Sequence, residues 1–463
     1  KKWGYIVPFD VKSLYPTTYD MPFPSGTSTI LEGNDYWKMR HLYMYPTEKG
    51  GFKRLYYDRN EKPQYINSDY AWGVYVVDIN HIPKHIIPVL PQKNEKGNTC
   101  WDLICREDQH YTTIDLEEGV AKGYKFTIKK AMVFKCAKCF LAPFVKKVYA
   151  IKKEQDVFKN SDDEAIRAKY NPAKRMTIKI MLNALYGKMI QRPILECNVI
   201  VDTIEKNEAF HREYDWLSWD IVGKEKMLLT GIKREFKGAC SKPIQIGSFI
   251  LSYSRVIMRE YMDLCDPYRF TNMEKSMKMS FYYTDTDCLW ISSFQQHLLE
   301  HKIGEELGDV EDELEGGFCF DAYFICPKVY LARYYIPQRD GTIKLKTKMR
   351  AKGHPSYCLK PEYYKFVWET GSIQTDEFVM LKKIKWKLTK NEINEGLTAI
   401  SIKKLDCRRR LNRDTWVGRT KLSNGDTYPI GYFDEEEMAQ VNLFGAEESS
   451  GEEDEETELG QLT

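Results

Sequence analysis

The chain contains no run of eighteen apolar residues and no basic segment leading into an apolar stretch at its start. Nothing in it therefore reads as a membrane span or a secretion signal. No internal repeat is present, and no Met opens the sequence, which starts Lys1-Lys2 and so suggests a fragment or a processed product. Regular cysteine spacing is missing as well. Twelve cysteines are scattered through a long, intracellular-looking chain, a pattern of reduced buried thiols rather than a disulfide framework. The last thirty residues, from Asp434 to Thr463, lack any Lys or Arg and carry twelve acids. The remainder then holds 69 basic against 55 acidic residues, a surplus of 14, although the whole chain sums to only +2. A basic body of this size is the footprint expected of a protein that holds a polyanion, whereas the like-charged tail is expected to be disordered.

What is present is a globular chain. At 463 residues with 43% hydrophobic content, two or more subdomains are expected. Residues 1 to 16 read as a strand ending in a turn at Pro16, and 22 to 135 as mainly β, with short apolar runs such as "WGVYVVDI" between loops rich in Pro, Asn and Gly. Within that region "DLEEGVAKG" predicts a helix over 115–122, with Asp115 and Glu118 as a capping box and Gly123 as its stop. Helical spacing returns from Ala142 to about Lys159 and from Pro172 to Lys188, which predicts a hairpin of two long antiparallel helices. The stretch 189–244 is mixed and charged, 245–265 is helical, and "MSFYYTDTDCLWIS" reads as an apolar hairpin with acids at its bend.

Three constellations carry chemistry. In "PFDVKSLYPTTYD" the carboxylate of Asp10 interrupts a strand-like apolar run, where a buried strand has no need of one. At the hairpin bend, Asp285 and Asp287 stand at i and i+2 and so share one face of a strand. If Asp10 lies on a neighbouring strand, three carboxylates could hold two Mg²⁺ about 3.5–4 Å apart, a geometry suited to in-line phosphoryl transfer. Taken alone, Asp-Thr-Asp is equally an ordinary turn. On the second long helix, Lys179, Asn183 and Tyr186 of "KIMLNALYGK" fall on one face with Arg175 a turn earlier, a ladder of triphosphate size, although a solvated polar stripe would look the same. There Gly187 would let a nucleic-acid backbone approach closely. The five specified letters of Asp-x-x-Ser-Leu-Tyr-Pro arise by chance in roughly one chain of several thousand of this length.

Finding Asp-x-x-Ser-Leu-Tyr-Pro, Asn-x-Leu-Tyr-Gly and Asp-Thr-Asp in that order, the sequence resembles B-family DNA polymerases, in which these are motifs A, B and C. The resemblance runs from residue 1 to about 430 and is greatest to the protein-primed branch, which starts synthesis on a protein hydroxyl. The stretches "HIIPVLPQK" and "DLEEGVAKGY" resemble that branch's first insertion, about 190–242 stands in the place of its second, and "PKVYLARYY" resembles its Lys-x-Tyr motif.

The resemblance implies an α+β, right-hand polymerase fold of palm, fingers and thumb with two insertions. It implies a palm strand with motif A at 1–21, the first insertion and palm at 22–135, and a fingers hairpin with motif B at 136–188. A second, processivity-type insertion would occupy 189–244, palm with motif C and Lys-x-Tyr 245–355, thumb 356–432, and the acidic tail 433–463.

By the same resemblance Asp10, Asp285 and Asp287 are the metal-binding catalytic aspartates, with Asp285 the less direct. Ser13, Tyr15, Lys152, Lys179, Asn183 and Tyr186 form the nucleotide site, Tyr15 as the gate against a 2′-hydroxyl and Lys153 close behind Lys152. Gly187, Tyr283, Lys328, Tyr330, Lys348, Arg350 and Lys352 are the DNA and primer contacts, with Arg408, Arg409 and Arg410 in the thumb. Two Mg²⁺ ions, for which Mn²⁺ can substitute, primer-template DNA, dNTPs and a terminal protein are the implied cofactors and partners. Family members also carry a proofreading exonuclease before motif A; only nine residues precede Asp10, so that activity is absent here or belongs to an upstream segment or a separate polypeptide.

Departures from the family pattern are Ala184 and Cys288, each where Ser is usual, and Lys12, a long cation that either meets phosphate or points to solvent. The pair Asp115-x-Glu117 imitates an exonuclease signature but falls after motif A and reads as helix capping. Cys100, Cys105, Cys136 and Cys139 could form a four-thiolate zinc site, with buried free thiols the simpler account. Rival readings are an RNA- or DNA-primed family B polymerase with unrelated insertions, and a catalytically silent DNA-binding module, although a silenced site has no reason to keep repelling carboxylates together.

Overall fold

The structure, a computed structural model, describes residues 4–57, 62–191, 196–223, 225–234, 242–265, 281–314, 316–338, 341–375, 378–383, 402–407, 410–413, 419–421 and 427–439. The strand Ile6–Val11 is the organising element. Val7, Phe9 and Val11 alternate onto one face and are buried against Met258, Tyr261 and Cys265 of the helix Ile244–Cys265. Period-two alternation then places Ile6, Pro8 and Asp10 on the other face. The strand is paired antiparallel to Cys288–Ser292 on one side and to Val310–Asp312 and Phe318–Cys326 on the other. The sheet continues through Val329–Pro337 to Ile343–Ala351, and the hairpin partner Phe281–Asp285 closes its far edge. The helix Pro361–Thr370 buries Tyr364 and Val367 against Ile325, Leu331 and Ala351 at the other end.

Residues 22–138 are mainly β, as the turn-rich composition predicts. Their sheet is built on the fourteen-residue strand Lys125–Lys138, which pairs with Pro22–Glu32, Gly73–His81 and Phe52–Tyr57. The helix inside this region runs Thr113–Ala121, and its cap differs from the expected one. Thr112 is the N-cap, Asp115 reaches back to it, and Glu118 takes no part. The pattern places the start late because the N-cap Thr112 is also the last residue of the strand Gln109–Thr112.

The two long helices are Ala142–Asn160 and Pro172–Met189. Asn171 caps the second through its side chain, and Pro172 fits the first helical turn, where no backbone N–H is required. Between Glu196 and Lys233 a three-stranded sheet carries the helix Ile204–Glu213, which packs Phe210 on Val201 and Leu229.

One expectation fails at the C-terminal end. Composition predicts a disordered tail from 433, yet residues 427–439 return to the first β region. Tyr432 is buried beside His85, the Leu103 N–H donates to the Ile430 carbonyl at 2.9 Å, and Lys84 pairs with Asp434 at 3.0 Å. Asp434 and Glu437 exchange side-chain-to-backbone hydrogen bonds of 2.9 Å, a reciprocal cap that uses the acids counted as tail. The tail from Gln440 onward, like Arg408 and Arg409, lies outside the described residues.

Candidate active site

The register of the central strand decides where its carboxylate goes. Asp10 is opposite Cys288 on one side and Glu311 on the other, and the Val11 N–H donates to the Asp287 carbonyl at 2.8 Å. Asp10 and Asp287 thus meet at the floor of a cleft of about 1820 Å³ between the sheet and the helix hairpin. Burial, then repulsion from Asp287, Glu313 and Glu311, pushes the Asp10 carboxyl up to about 7. Burial, with Asp285 and Glu313, raises Asp287 as well.

Asp285 lines the same cleft but is engaged by a cation: beside Thr286, whose φ is +66, it receives Lys328 Nζ at 2.6 and 2.7 Å. Among the described residues no three His, Cys, Asp or Glu side chains converge closely enough to hold a metal ion, and with Asp285 engaged by Lys328 the expected aspartates left without an ion pair are Asp10 and Asp287. The donor chemistry of that pair suits a divalent cation: two half-buried acids, two more nearby and a raised carboxyl mark a place short of positive charge.

Twelve of the sequence-predicted residues line this one cleft: Asp10, Ser13, Tyr15, Lys152, Lys179, Asn183, Tyr186, Asp285, Asp287, Lys328, Lys348 and Arg350. Tyr15 and Tyr186 stack with ring centroids 3.9 Å apart, and burial raises the Tyr15 hydroxyl. Lys179 is exposed, makes no ion pair among the described residues, and lowers both Asp10 and Asp287 across the cleft. Ser13, Thr286 and Lys328 all adopt left-handed backbone conformations at φ 56, 66 and 64, a strain of about 1 kcal/mol or more each that is concentrated at this site.

Four predicted residues lie elsewhere. Tyr330 is buried among Tyr283, Trp290 and Phe324, and the Tyr283 hydroxyl accepts the Lys328 N–H at 2.9 Å, so both rings support the cleft wall from behind. Lys352 is exposed off the cleft, and Gly187 faces a separate groove of about 510 Å³ with Phe144 and Met181.

A match to the family model for organellar and viral type B DNA polymerases covers residues 4–265, more than half of the sequence. The chain belongs to the organellar and viral type B DNA polymerases. It is 26% identical over 383 residues to a DNA polymerase of Kluyveromyces lactis, covering 78% of this chain and 32% of that one. To the DNA polymerase of canine adenovirus serotype 2 it is 24% identical over 206 residues, 43% of this chain and 16% of the other. The chain thus spans about a third or less of these curated relatives. The structure of phi29 DNA polymerase complexed with primer-template DNA and incoming nucleotide matches 89% of this chain and 59% of that one, with a TM-score of 0.52 at 15% identity. This likeness shows the right-hand polymerase fold.

Sequence reasoning missed several parts of this type B polymerase's cleft. Glu311 and Glu313 face Asp10 from the strand Val310–Asp312 and the turn after it, but nothing distinguished them from the surrounding acids of "EELGDVEDELEGG". Lys12 lines the cleft and pairs with Glu305 at 3.0 Å and Glu311 at 3.4 Å, rather than pointing to open solvent. Asp156 stands one turn after Lys152 on its own helix, and the hairpin packing brings Arg175 to it. Cys100, Cys136 and Cys139 are buried, and burial raises their thiols. Cys136 donates to the Phe23 carbonyl at 3.1 Å and Cys100 to that of Gln92 at 3.5 Å, so these thiols occupy separate sites.

Proposed function

We propose that this chain is the polymerase core of a DNA-directed DNA polymerase that adds dNMPs to a primer 3′-hydroxyl and can begin on the hydroxyl of a terminal protein. The observation that carries the reading is the meeting of Asp10 and Asp287 beneath Lys179 and the Tyr15–Tyr186 stack in one cleft. The sheet around Asp10 would be the palm, the helix hairpin the fingers, residues 356–432 the thumb, and 22–135 and 189–244 the two insertions. Asp10 and Asp287 would hold Mg²⁺, or Mn²⁺ in its place, with Asp285 available only if Lys328 lets go. When bound, such ions supply activation of the attacking hydroxyl and neutralisation of the leaving pyrophosphate.

The chain's own residues account for the rest. Lys179 lies across the cleft from Asp10 and Asp287, within reach of a triphosphate between them, and the exposed Asn183 extends the same helix face. Lys348 and Arg350 give the opposite wall the positive charge that grips phosphodiester backbone, while template pairing supplies sequence choice. Tyr15 would close off the space that a 2′-hydroxyl needs. In Tyr15→Val, ribonucleotide incorporation by primer extension with single rNTPs should therefore rise by at least about tenfold relative to dNTPs, as expected when roughly 1.4 kcal/mol of steric exclusion is removed. Unchanged sugar discrimination would remove Tyr15 from the nucleotide site.

Extension of a primed template by the purified chain with dNTPs and Mg²⁺, lost in Asp10→Asn, tests the activity. Tight DNA binding without extension would favour the silent module or a core that requires an exonuclease domain or subunit. Attachment of a first dNMP to a candidate terminal protein separates protein priming from priming by RNA or DNA ends.

A further inference from the structure

Four cations of the cleft have carboxylate partners on other elements: Lys12 with Glu305 and Glu311, Lys153 with Glu306, Lys328 with Asp285, Lys348 with Glu313. Asp156 differs because it collects cations from both helices of the hairpin. Arg175 Nε donates to its carboxylate at 2.5 Å, and Lys152 Nζ stands 3.8 Å away. All three line the cleft. Without that carboxylate, Lys152 and Arg175 would repel each other across the hairpin. Burial pulls Lys152 down, Asp156 opposes this, and Arg175 and Lys179 add to it.

The mechanical link between the helices lies next door. Gln155 is buried and accepts the Asn171 N–H at 2.8 Å, and Asn171 caps the second helix through the Lys174 N–H at 2.9 Å. Hairpin closure is therefore met by a neutral amide, and a charged residue at 156 has a different task.

We propose that Asp156 is a positioning residue that holds the place of the incoming triphosphate in the empty cleft, keeping Lys152 and Arg175 aimed inward and releasing them when phosphate enters. The inference rests on the nucleotide-site reading above. It predicts a sign that a mere brace does not: removing the carboxylate removes a competitor of the ligand, so polyphosphate binding tightens.

The test is titration calorimetry of inorganic tripolyphosphate into the full chain, comparing wild type, Asp156→Asn and Asp156→Glu. Asp156→Asn should bind roughly fivefold more tightly at low salt, as expected for one charge removed near the surface, and the difference should shrink as salt rises. Asp156→Glu should stay near wild type, and thermal midpoints of all three should agree within about 2 °C. In primer extension the Asn variant should lower KM for dNTP and also kcat, because Lys152 is no longer aimed. Equal or weaker tripolyphosphate binding by the Asn variant would overturn the inference and leave Asp156 as an interhelical brace. If the wild type binds no tripolyphosphate, the nucleotide-site reading falls, and this inference with it.

Discussion

Asp10→Asn should abolish primer extension and at the same time stabilise the metal-free protein at pH 8. Loss of activity of at least about a thousandfold is expected, because the carboxylate contributes several kcal/mol of charge stabilisation through the cations it holds. The gain in stability follows from the raised carboxyl. In the unfolded chain Asp10 titrates near 3.8, whereas in the folded cleft it titrates at about 7, so folding takes up a proton between those values. The wild type therefore loses stability as pH rises from about 4 to about 7 and regains none above.

Asn carries no such penalty. With allowance for the solvent that reaches Asp10, the variant should be about 2 kcal/mol more stable at pH 8 and indistinguishable near pH 4. Thermal melts with a chelator at the two pH values measure this, and added Mg²⁺ should narrow the gap at pH 8 by stabilising the wild type. A variant less stable than wild type at pH 8 would mean that the carboxylate is satisfied within the fold and is not held in wait for a cation.

Asp115→Ala should be the most destabilising single change in the first β region. The carboxylate is buried and accepts from the Thr112 N–H and hydroxyl at 3.0 Å, from Ser252 at 2.8 Å and from Arg255 at 2.7 and 3.1 Å. Truncation removes the reciprocal half of the cap and the carboxylate partner of Arg255, which among the described residues keeps only Ser252 at 2.9 Å, a combination that costs about 2–4 kcal/mol. Glu118→Ala, at the position the sequence pattern favoured as the capping partner, should cost no more than about 1 kcal/mol. Urea midpoints at constant m-value distinguish the two, and equal losses would restore the other cap.

That pair of substitutions shows what could be read from residues alone. Asp10 was legible because an acid in an apolar strand run contradicts the local pattern, and the long helices because their spacing and caps agree over many residues. The convergence of Asp10 with Asp287 also followed once strand pairing was assumed. The engagement of Asp285 by Lys328 was not legible, because the two are 43 residues apart in sequence. Tyr330 was expected at the primer because "PKVYLARYY" resembles the Lys-x-Tyr motif, but strand packing among Tyr283, Trp290 and Phe324 turns its ring inward. Glu311, Glu313 and Asp156 were invisible for a simpler reason. An acid among acids, or on a helix full of charges, gains meaning only from the side chain that faces it in three dimensions.

The docking of residues 427–439 against Lys84, His85 and Leu103 has a topological consequence. The described chain is thus anchored on both flanks, by the helix Pro361–Thr370 on the central sheet and by residues 427–439 on the first β region. The same double attachment limits how far the helix Pro361–Thr370 can swing from the sheet it covers.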